Sequence, residues 1–384
     1  INYFNNHVEA FAGAGPRIRT RGDEVFIIWA DSREGYSNTS IYMSSSGNGG
    51  ITWEEEWEVS DQPHFQLYND LEIDELGKMH LLYYNFDAGL GFSNVRYSST
   101  EPGGVEFSTS STIGVTDEDQ EPCDCCAPDM DVNDNGDVYI AYRNNVNNIR
   151  DHFITRKFAE SDTFDPPIPI SDSGWYIGYC PSSGPSLSVS GNIIGVGFMV
   201  NPTTDTFVKF GETENMTFES AMNVNPYVPE NYLQNYPSVV LTENILHTLW
   251  VDYFGAPDIY YGFANQESGE FTFIQRVNDT PEEDGGDSID QIEPKLTSYN
   301  DNLYAVWTDY RDDHSQIYFS STYSLDFISG DLNTDGNIDI LDIVLLVNFI
   351  LGLDAPDTLE FLAGDLDSNG ILNVLDIIQI VNII

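Results

Sequence analysis

Three strand-like runs of residues recur six times along this chain, always in the same order. Runs of the first type begin at Pro16, Asn69, Pro128, Pro185, Pro237 and Pro294. Runs of the second type centre on Trp29, Tyr83, Tyr142, Phe198, Trp250 and Trp307. The second-type centres lie 52 to 59 residues apart. A unit of nearly fixed length and strand order predicts a repeat architecture rather than one large sheet.

The units contain short strands joined by turns such as NDNGD and GNGG, with no helical pattern between them. Such units are typical of antiparallel meanders, and six meanders predict an all-β six-bladed β-propeller over residues 1–327. After its third run, the sixth unit contains only SLDF before the C-terminal segment begins. We therefore predict that residues 2–10 supply the missing outer strand and close the propeller.

The C-terminal segment, residues 328–384, contains the same acidic loop twice, DLNTDGNIDILD and DLDSNGILNVLD, each followed by an apolar helix. Calcium loops of this kind place oxygen ligands at positions 1, 3, 5 and 12, a backbone carbonyl at position 7 and glycine at position 6. The first loop offers Asp331, Asn333, Asp335, Asn337 and Asp342. The second offers Asp365, Asp367, Asn369, Ile371 and Asp376. The segment resembles a type I dockerin, and it predicts a small helical domain with two Ca²⁺ ions.

A dockerin resemblance implies a cohesin-like partner, which in clostridial dockerins contacts a Ser-Thr-like pair at loop positions 10 and 11. Here those positions are Ile340-Leu341 and Val374-Leu375. Both helices are apolar on nearly every face, so each is expected to bury a second surface. Three partners could pack against this second surface: a cohesin-like domain, the propeller of the same chain, or a neighbouring subunit. The last of these would be self-association.

The propeller repeat resembles that of sialidases in two places. The stretch SGNGGITW from Ser46 is similar to an Asp-box turn, with Asn48 in place of the usual Asp, and PRIRTRGDEVFIIWADSRE is similar to the start of a sialidase. This resemblance implies that Arg17 is the first of three arginines that bind a substrate carboxylate. Between Arg33 and the Asp-box-like turn the chain has no Asp to act as the acid/base group.

Several charged residues lie in the first strands or just after the second strands, positions that meet at one end of a propeller axis. The ligand-binding candidates are Arg17, Asp31, Arg33, Arg143, Asp252, Asp309 and Arg311. Together they predict a funnel that binds an acidic glycan. The alternative is that Asp31–Arg33 and Asp309–Arg311 are salt bridges that stabilise the blades.

Fourteen basic residues stand against 63 acidic ones, a formal charge of −49. This charge argues against binding nucleic acid or an anionic membrane surface. No apolar stretch approaches the roughly 20 residues needed for membrane insertion. The chain begins at Ile1 without a signal peptide, so we expect a mature secreted protein, extracellular or associated with the cell surface.

Four cysteines, Cys123, Cys125, Cys126 and Cys180, lie in the middle of the chain. In an extracellular protein they predict disulfides, for which three pairings exist. A bridge between the loops that enter blades three and four would stabilise the propeller. A metal site is the alternative, although the CxCC spacing crowds tetrahedral ligands.

Two functions remain open. In the first, the chain is a secreted calcium-binding assembly protein whose propeller presents a glycan- or protein-binding surface. In the second, it is a sialidase-like glycoside hydrolase, or a polyanion lyase, delivered to a complex by the dockerin-like tail. The missing acid/base Asp favours the first function, and no catalytic residue is assigned.

Overall fold

The structure is a computed structural model. It describes residues 7–10, 13–63, 65–87, 92–113, 122–200, 205–225, 233–253, 257–278, 290–300, 302–311, 314–322, 329–333, 335–353, 356, 358–366 and 371–384.

Six antiparallel sheets form the large domain, and each is a blade whose strands follow chain order. The first three blades contain β1 (Arg17–Arg21), β2 (Glu24–Asp31), β3 (Ser40–Ser46) and β4 (Trp57–Glu58); β5 (Phe65–Ile73), β6 (Met79–Asp87), β7 (Phe92–Ser99) and β8 (Ser111–Ile113); and β9 (Asp129–Val132), β10 (Val138–Arg143), β11 (His152–Lys157) and β12 (Ile168–Pro169). The others contain β13 (Ser186–Ser190), β14 (Ile193–Val200), β15 (Asp205–Glu212), β16 (Thr217–Phe218) and β17 (Met222–Asn223); β18 (Gln234–Thr242), β19 (Ile245–Asp252), β20 (Asp258–Asn265) and β21 (Glu270–Arg276); and β22 (Gln291–Tyr299), β23 (Asn302–Asp309) and β24 (Gln316–Ser321). The predicted six-bladed propeller is confirmed.

The first strand of each blade is the inner one, and these strands contact one another in succession from β1 to β22. They therefore surround the propeller axis. Of the strand predicted from residues 2–10, residues 2–6 lie outside the described part of the chain. Val8 pairs with Asp31, and the amide of Glu9 donates to the carbonyl of Ala30, so this piece extends along the end of β2. Closure of the sixth blade by the N-terminus stays a prediction.

Apolar side chains fill the spaces between blades, and close packing there requires glycine at two points. A Cβ added to Gly195 in β14 would lie 2.3 Å from Leu246 Cδ1, and one added to Gly197 would lie 2.8 Å from Val239 Cγ1. Blade five therefore packs directly on the backbone of blade four. A larger side chain at either glycine would separate the blades.

The C-terminal segment folds into α1 (Ile340–Ile350), α2 (Thr358–Gly364) and α3 (Val374–Ile383). Capping boxes begin both long helices, because Asp339 and Asn373 accept from helix amides while Asp342 and Asp376 accept from the cap amides. A small core of Leu332, Leu346, Phe349, Ala363 and Ile380 joins the three helices. The predicted boundary at residues 327 and 328 lies outside the described residues. None of the described helices is long and apolar enough to cross a membrane.

Candidate functional site

The inner strands are braced across blade boundaries by side chains that accept hydrogen bonds from the next inner strand. In blades two and three the acceptors are carboxylates: Asp70 accepts from the Met130 amide at 3.0 Å, and Asp129 and Asp131 accept from the Leu187 and Val189 amides, each at 2.6 Å. In blades four and five they are serine hydroxyls. The Val239 and Leu241 amides donate to Ser186 and Ser188 at 3.1 and 3.0 Å, and the Leu296 amide donates to Ser238 at 2.9 Å. These contacts satisfy amides on the free inner edge of each sheet, which would otherwise be costly to bury.

Blade one presents arginines where blades two and three present carboxylates. Arg17 Nε lies 3.5 Å from Asp70 Oδ1, and Arg19 forms a hydrogen-bonded ion pair with Glu72 through two of its nitrogens. Arg19 also lies 3.9 Å from Asp70. The axis therefore carries a charge network between blades one and two.

Buried carboxyl groups on the inner strands of blades two and three have raised pKa values. Burial raises the pKa of Glu72 to about 7, against the opposing effect of Arg19. Burial, together with repulsion from Asp70, raises the pKa of Asp129 to about 6, although Lys295 and Arg17 act in the other direction. Clustered groups with such shifts are typical of functional sites.

A cavity of about 150 Å³ opens at the end of the axis where the inner strands begin. It is lined by charged side chains of Arg17, Asp129, Glu293 and Lys295, by the ring of Tyr236 and by small residues such as Gly13, Ala127 and Gly184. Glu293 Oε1 accepts from the Gly13 amide at 2.9 Å and so joins blade six to the segment that enters blade one. We name this cavity the funnel site.

Three large residues at the funnel end have a left-handed backbone. Tyr68, Tyr236 and Glu293 have φ values of 54°, 52° and 56°, and each lies at a register shift in its inner strand. They occupy the same position of the repeat, where blades one, three and four have Gly15, Ala127 and Gly184. Bulges redirect side chains and are frequent beside active sites, and the backbone conformation costs about 1 kcal/mol or more per residue. Strain maintained at three equivalent positions makes this end a candidate functional site.

Of the predicted ligand-binding residues, Arg17 lines the funnel site, whereas the two Asp–Arg pairs form closed units. Asp31 accepts from the Trp29 indole at 2.9 Å and from the guanidinium of Arg33, which stacks on Tyr42. Asp309, Trp307, Arg311 and Tyr318 repeat this arrangement in blade six. Burial would raise the pKa of Asp31, but hydrogen bonds from Arg33 and Trp29 hold it below its usual value. These pairs fit the structural alternative better than ligand binding.

Arg143 and Asp252 do not line the funnel site either. Arg143 is fully buried, and its guanidinium donates to the carbonyls of Ser183, Arg150 and Met199. The carboxylate of Asp252 is buried and lies within 3.5 Å of the side-chain amides of Asn225 and Gln234. Both residues therefore act within the propeller wall.

Sequence reasoning missed Asp129, Tyr236, Glu293 and Lys295. A signal was present in the alignment of the six first-type runs. The second position of each run reads Arg17, Asp70, Asp129, Ser186, Ser238 and Lys295. A column of charged and hydroxyl residues on an inner strand indicates side chains directed at the axis.

Cysteines link the loops that enter blades three and four. Cys125 and Cys180 form a disulfide, whereas Cys123 and Cys126 are buried thiols. The prediction of a disulfide is confirmed, and its position agrees with the proposed bridge between blade entrances. Cys126 leads directly into the funnel residues Ala127 and Asp129.

The Asp-box-like stretch forms a turn held by its own side chains. The hydroxyl of Ser46 accepts from the Gly50 amide at 2.9 Å, and Asn48 Oδ1 accepts from the Thr52 amide at 2.9 Å. The Trp53 indole donates to the Gly50 carbonyl. Every one of these contacts is local, so the turn serves the hairpin rather than a ligand.

The first acidic loop surrounds two buried carboxylates. Asp331 and Asp342 are 3% and 0% exposed, and they accept from amides of the loop, including those of Asn333, Asp335 and Gly336. Within the described residues neither carboxylate forms an ion pair with a basic side chain. Two buried anions without a counter-charge are unfavourable, and hard oxygen ligands fit Ca²⁺.

The second loop is described in part, because Asp367 and Asn369 lie outside the described residues. Asp376 is 0% exposed and accepts from the amides of Leu366 and Asn373, so it holds the start of α3 as Asp342 holds the start of α1. Of the other predicted ligands of this loop, Asp365 and Ile371 belong to the described residues.

A family model described as the dockerin type I domain matches residues 329–384. These residues are a type I dockerin domain. Calcium binding follows from this assignment, while the number of two ions stays a prediction. At positions 10 and 11 of its loops, the dockerin domain exposes Ile340 by 70%, Leu341 by 55%, Val374 by 61% and Leu375 by 53%.

The propeller is similar in fold to several solved structures. A polysaccharide lyase of family PL25, an ulvan lyase bound to -[GlcA(1-4)Rha3S]-, matches with a TM-score of 0.50 and 11% identity over 82% of this chain and 84% of that chain. The NanB sialidase from Streptococcus pneumoniae matches with a TM-score of 0.53 and 9% identity over 79% and 67%. The Trypanosoma rangeli sialidase matches with a TM-score of 0.52 and 9% identity over 87% and 56%. No curated protein matches the chain. These likenesses concern the fold alone.

Proposed function

We propose that the propeller is a binding module for the acidic end of a saccharide, and that the dockerin domain docks it by a calcium-dependent contact into a larger extracellular assembly. The observation that carries this proposal is the pair of cations at the funnel site. The chain has only 14 basic residues, yet Arg17 and Lys295 both line one cavity. Guanidinium and ammonium groups at a concave site are suited to a carboxylate.

The volume of the cavity and the net charge of the protein limit the kinds of ligand that the funnel site can bind. The cavity of about 150 Å³ is below the roughly 300–1,000 Å³ of pockets that enclose a drug-sized ligand. A formal charge of −49 repels a polyanion at long range. A terminal sugar with a single carboxylate fits both conditions better than the interior of a charged polymer.

Isothermal titration calorimetry tests this binding. Oligosaccharides ending in sialic acid or glucuronic acid should bind, and the matched neutral oligosaccharides should bind at least about tenfold more weakly. Arg17→Met and Lys295→Met should each weaken binding about tenfold or more. Arg276→Met is the control, because Arg276 lies on an outer strand beside Asp258. Equal affinity for acidic and neutral ligands would contradict the proposal.

Salt provides an independent check. Contacts at the funnel site act over a few ångströms, whereas repulsion by the whole protein acts over distances that salt screens. Affinity for a mono-carboxylated oligosaccharide should therefore stay level or rise as ionic strength increases from about 0.01 to 0.15 M. A steep fall would indicate binding of a polyanion through many cations instead.

A second candidate function is general acid catalysis at the same site, and the environment of Glu293 favours it. Burial raises the pKa of Glu293 against the hydrogen bond from Gly13, and this carboxyl group lines the same cavity as Tyr236. The test is prolonged incubation with acidic polysaccharides, with assays for new reducing ends and for unsaturated uronates. Turnover that Glu293→Gln abolishes would make the chain an enzyme, and its absence across the panel would leave the binding function.

The dockerin domain supports the assembly part of the proposal through its exposed apolar pairs. Dockerin domains bind cohesins, and an apolar pair on each loop is suited to an apolar partner surface. Sedimentation of the full chain with and without a cohesin module, in calcium and in chelator, separates docking from self-association. Leu341→Asp with Leu375→Asp should abolish a complex of either type. A complex that survives both chelator and these substitutions would count against docking through this domain.

A further inference from the structure

The cysteine cluster beside the funnel has the geometry of a metal site. The sulfurs of Cys123, Cys125 and Cys126 all lie within 4.8 Å of one another. Cys123 Sγ is 3.4 Å from Cys125 Sγ and 3.3 Å from Cys126 Sγ. Tetrahedral Zn–S bonds of about 2.3 Å place neighbouring sulfurs about 3.8 Å apart. The turn in which the Cys126 amide donates to the Cys123 carbonyl thus overcomes the crowding expected of a CxCC sequence.

A fourth sulfur lies beside the cluster, because the blade-four loop holds Cys180 bonded to Cys125. The two loops are in close contact, since a Cβ on Gly184 would lie 1.9 Å from the Ala127 carbonyl oxygen. Reduction of the disulfide would therefore leave four thiols in one small volume.

Two buried arginines surround the cluster without a carboxylate partner. Arg150 Nη1 donates to Cys123 Sγ at 2.8 Å and lies 3.6 Å from Cys125 Sγ. Arg143, bonded to carbonyl oxygens, is 0% exposed, and Arg150 is 7% exposed. Among the described residues neither forms an ion pair with Asp or Glu. Two buried cations without a direct ion pair are costly, and the nearby buried Asp151 supplies only one negative charge, so the site favours an anionic occupant.

We propose that the reduced protein binds one Zn²⁺ through Cys123, Cys125, Cys126 and Cys180. A dithiol reductant first transfers two electrons and two protons to the Cys125–Cys180 disulfide and itself becomes a disulfide. Zinc then displaces four protons from the four thiols. The resulting tetrathiolate carries charge −2, which the guanidinium groups of Arg143 and Arg150 neutralise, and Arg150 donates to its sulfurs. In both states the loops that enter blades three and four are joined.

The test uses the full chain, reduced without oxygen and freed of reductant, and titrated with Co²⁺ as a spectroscopic substitute for zinc. One equivalent of Co²⁺ should produce sulfur-to-metal charge-transfer bands and the ligand-field bands of a tetrahedral site, which Zn²⁺ then removes. Cys126→Ser should weaken metal binding at least about tenfold. Asp335→Ala, which alters a calcium loop, is the control and should leave these bands unchanged.

A measurement on the unsubstituted protein covers the case in which Cys126→Ser does not fold. Before zinc is added, all four thiols of the reduced chain should react with a thiol reagent in mild denaturant, and one equivalent of Zn²⁺ should protect them. Zinc that leaves the four thiols equally reactive would overturn the proposal. So would the same metal stoichiometry in oxidised protein whose Cys125–Cys180 disulfide is shown intact by mass spectrometry.

Discussion

In blades two and three the side chains that brace the next inner strand are carboxylates, whereas in blades four and five they are serine hydroxyls. Both chemistries satisfy amides at the inner edge of a sheet. A hydroxyl does so without charge. A carboxylate forms a stronger hydrogen bond, but its own charge then requires compensation near the axis.

Basic side chains of the neighbouring blades compensate the negative charge of these carboxylates. Arg17 and Arg19 belong to blade one, and Lys295 belongs to blade six. The propeller repeat is therefore symmetric in backbone and asymmetric in charge. Blades six, one, two and three carry the charged chemistry of the axis, and blades four and five are a neutral support. The charged group of a ligand should therefore contact side chains of the first group.

The comparison predicts that removing a carboxylate brace is far more costly than removing a hydroxyl brace. Asp70→Ala leaves the Met130 amide without its acceptor and removes the buried carboxylate that lies 3.5 Å from Arg17 Nε, so the free energy of unfolding should fall by about 3 kcal/mol. Ser186→Ala, which removes only the acceptor for the Val239 amide, should cost about 1 kcal/mol. Urea unfolding followed by tryptophan fluorescence measures both values.

Tryptophan fluorescence suits this experiment because all six tryptophans lie in the propeller part of the sequence, at positions 29, 53, 57, 175, 250 and 307. Unfolding of the dockerin domain does not contribute directly to the signal. Equal losses for the two variants would show that charge adds nothing to the brace.

Removing a compensating cation should also be costly, though less so. Arg19→Met leaves Glu72 beside Asp70 and Asp131, and we expect a loss of about 2 kcal/mol at pH 8. This expected loss of stability is smaller than the loss for a fully buried ion pair, because the Arg19 side chain is 35% exposed and solvent screens its charge. Arg276→Met is the matched control: its side chain is 33% exposed and pairs with Asp258 on an outer strand, so its loss should be under about 1 kcal/mol. A comparable loss for the two variants would contradict a special role for the axial network.

The calcium loops and the funnel site differ in how far sequence alone predicted them. Asp331 and Asp342 belong to one loop of twelve residues, so their convergence follows from local spacing and a turn glycine. The funnel site assembles Arg17, Asp129, Glu293 and Lys295 from strands up to 278 positions apart in sequence. The repeat predicted which strands surround the axis, but it did not predict which side chains reach the cavity.

Two physical effects limited the prediction of the site. Arg143 is the last residue of a second strand, as Asp31 and Asp309 are, yet the loop that enters blade four supplies the Ser183 carbonyl that its guanidinium binds. Tyr236 and Glu293 adopt a left-handed backbone that their residue types do not favour. Both residues lie at register shifts of their inner strands, and a single sequence contains no local signal for this conformation.

The charged and hydroxyl braces should differ in their response to pH. The folded pKa values of Glu72 and Asp129 are about 7 and about 6, above unfolded values of about 4.3 and 3.9. The folded state therefore binds more protons in this range, and stability from these groups, complete below about pH 4, is lost as the pH rises to about 7. In Glu72→Gln with Asp129→Asn the part of this loss that comes from these two groups should disappear, so wild type should lose at least about 1 kcal/mol more stability than the variant across the range.

The control for this prediction is Ser186→Ala with Ser238→Ala. Neither hydroxyl titrates, so the loss of stability should be the same at pH 4.5 and pH 7.5. Urea unfolding at intervals of half a pH unit provides the measurement. Parallel curves for all three proteins would mean that the axial carboxyl groups titrate alike in the folded and unfolded states.

The smallest expected effect concerns the seam between blades six and one, where Glu293 braces the segment that enters blade one. The Gly13 amide donates to Glu293 Oε1 at 2.9 Å, and the side-chain amide oxygen of glutamine can accept the same bond. Glu293→Gln should therefore change the free energy of unfolding by less than about 0.5 kcal/mol, while Glu293→Leu, which leaves the Gly13 amide without an acceptor, should cost about 1–2 kcal/mol. Because Glu293→Gln also removes a negative charge beside Lys295, calorimetry should show tighter binding of a mono-carboxylated oligosaccharide. If Glu293→Gln left binding unchanged but caused a large loss of stability, the charge of Glu293 would stabilise the contact between blades six and one and would not affect the ligand.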